Sequence, residues 1–143
     1  MIIRDLVRTY KALAEPNRIR ILKMLEIRPL CVCEITDVLQ LATSTVSKHL
    51  SILRDAGFIS DQKEGKWVDY YLNDSTDQLE VGQLLTHLSR WLTDDETIQE
   101  DAKKVKEVDR YEICEVKKIF TDNNSPHDEM ISRRKADGLE NQV

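Results

Sequence analysis

The 143-residue chain is poor in the residues that staple or punctuate a fold, with four glycines, three prolines and three cysteines. An odd number of thiols, two of them one residue apart in Cys31-Val32-Cys33, cannot build a disulfide framework. They read as reduced thiols, which leaves redox chemistry or metal binding open. No apolar run approaches the roughly 20 residues of a membrane span, and Met1-Ile2-Ile3-Arg4-Asp5 lacks the three regions of a signal peptide. A cytoplasmic protein without membrane association is expected. A glycine-rich phosphate loop, a Ser/His/Asp grouping and a Cys-x-x-Cys beside a βαβ pattern are all missing, so no enzyme is indicated. His49, His87 and His127 are scattered, and none has the i+3 or i+4 partner of a helical zinc site.

The net charge of -5 argues against nucleic acid until it is divided along the chain. Residues 1–67 hold 11 Lys and Arg against 8 Asp and Glu, whereas residues 68–143 hold 10 against 18. The basic half is able to meet phosphates while the acidic half does other work; ordinary surface variation would look the same.

Ile3, Leu6, Val7, Tyr10 and Leu13 recur at helical spacing and predict an amphipathic first helix with one buried stripe. Pro16 suits the first turn of a second helix carrying Ile19, Leu22 and Leu25, closed by Arg28-Pro29. After the apolar run Leu30 to Ile35, residues 33–53 read as two short helices joined near Gln40 to Ala42. Ile35, Val38 and Leu39 face inward from the first; Val46, Leu50 and Leu53 do so from the second, with Thr43 or Ser44 as its N-cap and Gly57 as its stop. This is a helix-turn-helix pattern.

Phe58 to Ser60 and Val68 to Leu72, around Lys63-Glu64-Gly65-Lys66, predict a β-hairpin. Val81, Leu84, Leu85, Leu88, Trp91 and Leu92 then form the cleanest helical stripe, expected to pack on its own chain and on the first helix of a second copy. Thr93-Asp94-Asp95-Glu96 matches a capping box opening a further charged helix. The expected organisation is a DNA-binding and dimerisation domain over residues 1–92, a helical extension over 93–120 and a disordered tail over 121–143. The fold class is mainly α with a small β-hairpin wing, a dimeric winged helix-turn-helix.

On the second helix of that motif the buried side leaves Ser44, Ser47, Lys48 and Ser51 opposite, with Thr45 and His49 on the flanks. Short hydrogen-bonding side chains with a few cations suit a helix entering the major groove. An ordinary solvated face is the bland alternative, and for His49 the alternative is a partly buried, hydrogen-bonded packing residue. Lys63 and Lys66 at the hairpin tip would follow the flanking groove or backbone, or merely keep a turn soluble.

Cys31 and Cys33 point about 200° apart on a regular helix but to one side on extended backbone. A shared soft metal or metalloid therefore requires extended backbone there or a distorted first helical turn, which makes the segment a candidate switch. A helix N-terminus lowers thiol pKa values, although Glu34 works against this. Both cysteines read equally well as small buried hydrophobes. Cys114, in Tyr111-Glu112-Ile113-Cys114-Glu115, is either a third thiolate or an unremarkable thiol.

Three segments together, Leu13 to Leu22 around Ala14-Glu15-Pro16-Asn17-Arg18, Leu30-Cys31-Val32-Cys33-Glu34-Ile35, and Ser44 to Leu50 followed by Leu53-Arg54-Asp55-Ala56-Gly57, resemble the ArsR/SmtB family of metal-sensing winged-helix repressors. The resemblance covers about residues 3–92, and its Cys-Val-Cys box is similar to that of the arsenite- and antimonite-responsive branch. It implies a homodimeric repressor that binds operator DNA when metal-free and dissociates on binding As(III) or Sb(III), with no organic cofactor. Cys31 and Cys33 match the inducer-binding thiols, and Ser44, Ser47 and His49 match recognition-helix positions. The third cysteine of some arsenic sensors falls here on Thr36, so Cys114 is the replacement to test, with solvent or an external thiol as the other possibility. The zinc-sensing branch opens its last core helix with an Asp and a His two residues apart, whereas Asp77 is followed by Leu79. The cadmium branch adds N-terminal cysteines, and residues 1–30 contain none. A repressor sensing a divalent soft metal or an oxidant through the same thiols is the alternative; a dithiol reductase and a protein-only winged helix are more distant ones.

Overall fold

The computed structural model describes residues 1–113, of which 1–108 form one unit. Its order is α1 (Ile3–Leu13), α2 (Pro16–Leu25), β1 (Leu30–Cys31), α3 (Val32–Leu39), α4 (Thr43–Asp55), β2 (Ile59–Glu64), β3 (Trp67–Leu72), α5 (Leu79–Arg90) and α6 (Glu96–Glu107). Residues 110–113 form a helical turn of the second unit, in which the Ile113 N–H donates to the Asp109 carbonyl at 3.1 Å. The tail expected over 121–143 and Cys114 lie outside the described residues. No helix among the described residues is long and apolar enough to cross a membrane.

The core is made where the sequence periods converge. Ile21, Leu22, Met24 and Leu25 of α2, Ile35 and Val38 of α3, Val46, Leu50 and Leu53 of α4, and Phe58 and Ile59 beyond it are all buried together. Gly57 stops α4 at φ +90°, a left-handed conformation that a side chain resists, and lets the Phe58 N–H donate back to the Leu53 carbonyl at 3.0 Å. The predicted hairpin follows as β2 and β3, paired from Ile59↔Leu72 to Glu64↔Trp67 and turned at Gly65, whose φ is +59°. A strand not anticipated completes it: β1 pairs antiparallel with β3 through Leu30↔Tyr70 and Cys31↔Asp69, giving the order β1-β3-β2.

Three local expectations are corrected. The stripe of α1 buries only in part in its own chain: Leu6 and Leu13 are half-buried and Leu13 packs on the core, whereas Ile3 is 82% and Tyr10 56% exposed, and Thr9 and Ala12 face inward. Helix α4 starts at Thr43 with Ala42 as N-cap and no side-chain cap, so neither Thr43 nor Ser44 fills that role. Asp95, not Thr93, caps α6, accepting the Ile98 N–H at 3.0 Å. Along α5, Val81, Leu85 and Leu88 are buried as predicted, while Trp91 and Leu92 lie past its end and are exposed.

Helix α6 packs on α2 and α3 and contributes Val105, fully buried, to the core. Arg20 on α2 grips Asp101 of α6 with both oxygens, Nε to Oδ2 at 2.8 Å and Nη2 to Oδ1 at 2.9 Å.

Candidate functional site: a thiol pair beside a reading helix

Helices α3 and α4 form the helix-turn-helix. Gln40, at φ 55°, ends α3 in the left-handed conformation and turns the chain in three residues toward α4. Ser44, Thr45, Ser47, Lys48 and Ser51 all lie on the exposed side of α4, as the helical wheel requires. This face is small, polar and singly cationic, which suits close approach to base edges and phosphates.

His49 points elsewhere. Its side chain is 12% exposed, with Nδ1 3.3 Å from Arg18 Nη1 and Nε2 3.8 Å from Glu15 Oε2. The same Arg18 donates from Nε to the Ala12 carbonyl at 2.7 Å and from Nη2 to the Lys11 carbonyl at 3.0 Å, closing the C-terminal end of α1. Glu15 in turn caps α2 by accepting the Arg18 N–H at 3.0 Å. His49 therefore ties the reading helix to the α1–α2 junction, the packing alternative that its flank position allowed.

Lys63 and Lys66 are exposed on the wing, and the Lys66 ammonium sits 4.6 Å from the centroid of the Trp67 ring. Arg54, near the end of α4, reaches Asp61 on β2 at 3.1 Å in an exposed ion pair between α4 and the wing. Reading the sequence did not single out Arg54; its partner lies seven residues on and across a change of secondary structure.

The two thiols straddle the start of α3. Cys31 ends β1 as the N-cap residue, with φ -87° and ψ 168°, and is buried; Cys33 is the second helical residue and half-buried. The pair thus spans extended and helical backbone. A capping box closes the turn: Cys31 Sγ faces the Glu34 N–H, and Glu34 Oε1 accepts the Cys31 N–H at 3.0 Å. Glu34 is itself buried and paired to Arg28, Nη1 to Oε2 at 2.9 Å. Burial pushes the Cys31 thiol up to about 12, with the charge of Glu34 adding to it and the Glu34 N–H opposing. This reverses the lowering expected from a helix N-terminus, because the sulfur is shielded from water and lies against a carboxylate. Among the described residues no group of three or more His, Cys, Asp and Glu side chains is assembled to hold a metal ion. Two soft sulfurs without imidazole support suit a soft metalloid or metal, provided the first turn of α3 opens to uncover Cys31.

The family model described as "Bacterial regulatory protein, arsR family" matches residues 15–61. An arsenical resistance operon repressor of Bacillus subtilis is 35% identical over 86 residues, covering 59% of this chain and 78% of the relative. The chain belongs to the arsR family. This arsR-family regulator is also 46% identical over 66 residues to an uncharacterized HTH-type transcriptional regulator of Methanocaldococcus jannaschii, covering 46% of this chain and 74% of that one. Other relatives, named as arsenical- or cadmium-resistance regulators, are matched over 55% to 59% of their length. Reduced HlyU from Vibrio cholerae is similar in structure, with 33% identity and a TM-score of 0.53 over 63% of this chain and 90% of that one. The homodimeric winged helix-turn-helix DNA-binding domain Mb0332 of Mycobacterium bovis, 24% identical with a TM-score of 0.54 over 62% of this chain and 78% of that one, shares the fold, and the family's members are DNA-binding transcriptional regulators rather than enzymes.

Proposed function

We propose that this arsR-family regulator is a homodimeric repressor that holds operator DNA when metal-free and releases it when As(III) or Sb(III) takes the thiolates of Cys31 and Cys33, with Cys114 as third sulfur. One observation carries the reading: the two thiols lie across the N-cap of α3, the helix packed against the reading helix α4. Bringing both sulfurs to one ligand requires Val32 and Cys33 to leave helical geometry, because i and i+2 side chains diverge on a helix and converge on a strand. Cys31 then gives up its bond to Glu34, and α3 changes how it supports α4. A coupling of about 1–3 kcal/mol suffices to change operator affinity roughly 5- to 150-fold.

Ser44, Thr45, Ser47, Lys48 and Ser51 would face the major groove, with Lys63 and Lys66 along the flank and His49 holding the helix from behind. Pairing two copies places their reading helices about one duplex turn, roughly 34 Å, apart. The apolar face that α1 leaves uncovered, Ile3, Val7 and Tyr10, together with Leu79 at the start of α5, supports such pairing.

The similarity to regulators named for cadmium resistance supports a second reading, a divalent soft ion as inducer at the same thiols. A duplex selected by the protein from a random-sequence pool, followed by fluorescence anisotropy, tests both. Arsenite and antimonite are expected to release wild-type protein, and Cys31→Ser and Cys33→Ser to stay bound. Release by cadmium alone favours the second reading, and release of both serine variants by arsenite refutes the site.

A further inference from the structure

The thiol turn is not an isolated switch. Arg28, in the segment between α2 and β1, donates from Nη1 to the adjacent Pro29 carbonyl at 3.3 Å and, beyond it, in two directions. Nη1 binds Glu34 Oε2 at 2.9 Å, and the same Glu34 caps Cys31. Nη2 binds the carbonyls of Val105 and Val108, both at 3.0 Å. These carbonyls belong to the end of α6, where a helix has no internal donors left and where a cation is favoured. One guanidinium therefore joins the N-terminal end of the thiol helix to the C-terminal end of a helix more than 70 residues away in sequence.

We infer that Arg28 is a positioning residue through which ligation at Cys31 and Cys33 loosens the last turn of α6, so that the inducer signal leaves the thiols in a second direction besides α4. The inference rests on the thiol-sensing reading above. Its physical basis is the sharing of one buried carboxylate. Glu34 has a side chain 3% exposed and is fixed by two donors, the Cys31 N–H and Arg28. When the first turn of α3 opens, the backbone donor withdraws. Arg28 is then drawn wholly to the buried carboxylate that would otherwise be left half-paired, and its hold on the two carbonyls weakens. The middle of α6 stays in place, because Asp101 is gripped by Arg20 independently of this chain of contacts. The response is therefore confined to residues 104–108, the turn from which the chain continues toward Cys114.

Hydrogen exchange on the full-length protein, with and without arsenite, tests this. In wild type, arsenite is expected to lower protection at least fivefold both at residues 31–35 and at 104–108, while residues 98–101 keep theirs. In Glu34→Gln, which retains an oxygen for the Cys31 N–H but not the charge that holds Arg28, and in Arg28→Gln, the arsenite response at 31–35 remains and that at 104–108 is lost. Unchanged protection at 104–108 in wild type, alongside loosening at 31–35, overturns the relay while leaving thiol sensing intact. A response at 104–108 that persists in both variants also overturns it. No response at 31–35 in wild type sinks the thiol-sensing reading and the relay with it. The wild-type comparison decides even where a variant fails to fold.

Discussion

Arg18 Nη1 lies 3.3 Å from His49 Nδ1, so a polar contact joins the first turn of α2 to the middle of α4 beside the core that the two helices share. Since a guanidinium only donates, Nδ1 is the acceptor and the ring proton sits on Nε2, toward Glu15. The same guanidinium closes α1, the helix with the uncovered apolar face, so the placement of α1 and that of α4 are linked through Arg18.

This separates two kinds of substitution on one helix. Lys48→Ala removes the cation from the exposed face of α4 that is proposed to meet the groove, so operator affinity is expected to fall and the slope of log K against log salt to shrink by about one. His49→Ala is expected to weaken binding with the slope unchanged, because it releases the helix without removing a phosphate contact. Anisotropy titrations at several salt concentrations distinguish the two, and an equal loss of slope in both contradicts the assignment of His49 to positioning.

The Cys31 thiol provides a pH signature. Its pKa in the folded chain, raised to about 12 from 9.0, exceeds that of the unfolded chain, so the unfolded state loses its proton first. Stability from this group is fully present below pH 9 and is lost as pH rises through the interval up to about 12. Iodoacetamide at mildly alkaline pH is accordingly expected to spare Cys31 in the folded protein and to label it in urea. Mass spectrometry of the Cys31 peptide reads this directly, and rapid labelling in the native state would contradict the burial.

Proton balance separates the two inducer readings. When arsenous acid exchanges hydroxides for thiols, each thiol proton leaves as water, so affinity is expected to be nearly flat from about pH 6 to 8. A divalent ion must expel the protons into solution, and its affinity is expected to rise about tenfold per pH unit for each thiol proton released. Calorimetry in buffers of different ionisation enthalpy counts those protons.

Asp101 is buried with a bidentate partner, and breaking such a pair from one side strands the other charge. Asp101→Asn is expected to cost about 3 kcal/mol of unfolding free energy, measured by urea denaturation. A change within 0.5 kcal/mol would mean that α6 does not depend on this contact.

Much of this was legible in the sequence, for identifiable reasons. The helix-turn-helix and the wing show because Val46, Leu50 and Leu53 keep a helical period, and because Gly57 and Gly65 sit where the backbone needs positive φ. Periodicity reports that a face is apolar and not what covers it, so the stripe of α1 reads as buried although its own chain leaves Ile3 and Tyr10 exposed. The cap on α3 was hidden because its N-cap residue is a cysteine, an unusual member of a capping box, and because Leu30–Cys31 is too short to read as a strand. The contacts of Arg20 and Arg28 with α6 span 77 to 81 residues, and no local pattern encodes them. His49 stood on the boundary of the wheel, where only the position of Arg18 decides which way it turns.

The most direct test of the central claim is a structure of the arsenite-loaded full-length protein compared with the metal-free form. The account predicts arsenic bonded to both Cys31 and Cys33, Val32 and Cys33 outside helical geometry, the Cys31 N–H parted from Glu34 and α4 displaced. Arsenic on both sulfurs with residues 30–57 superimposing throughout would contradict it.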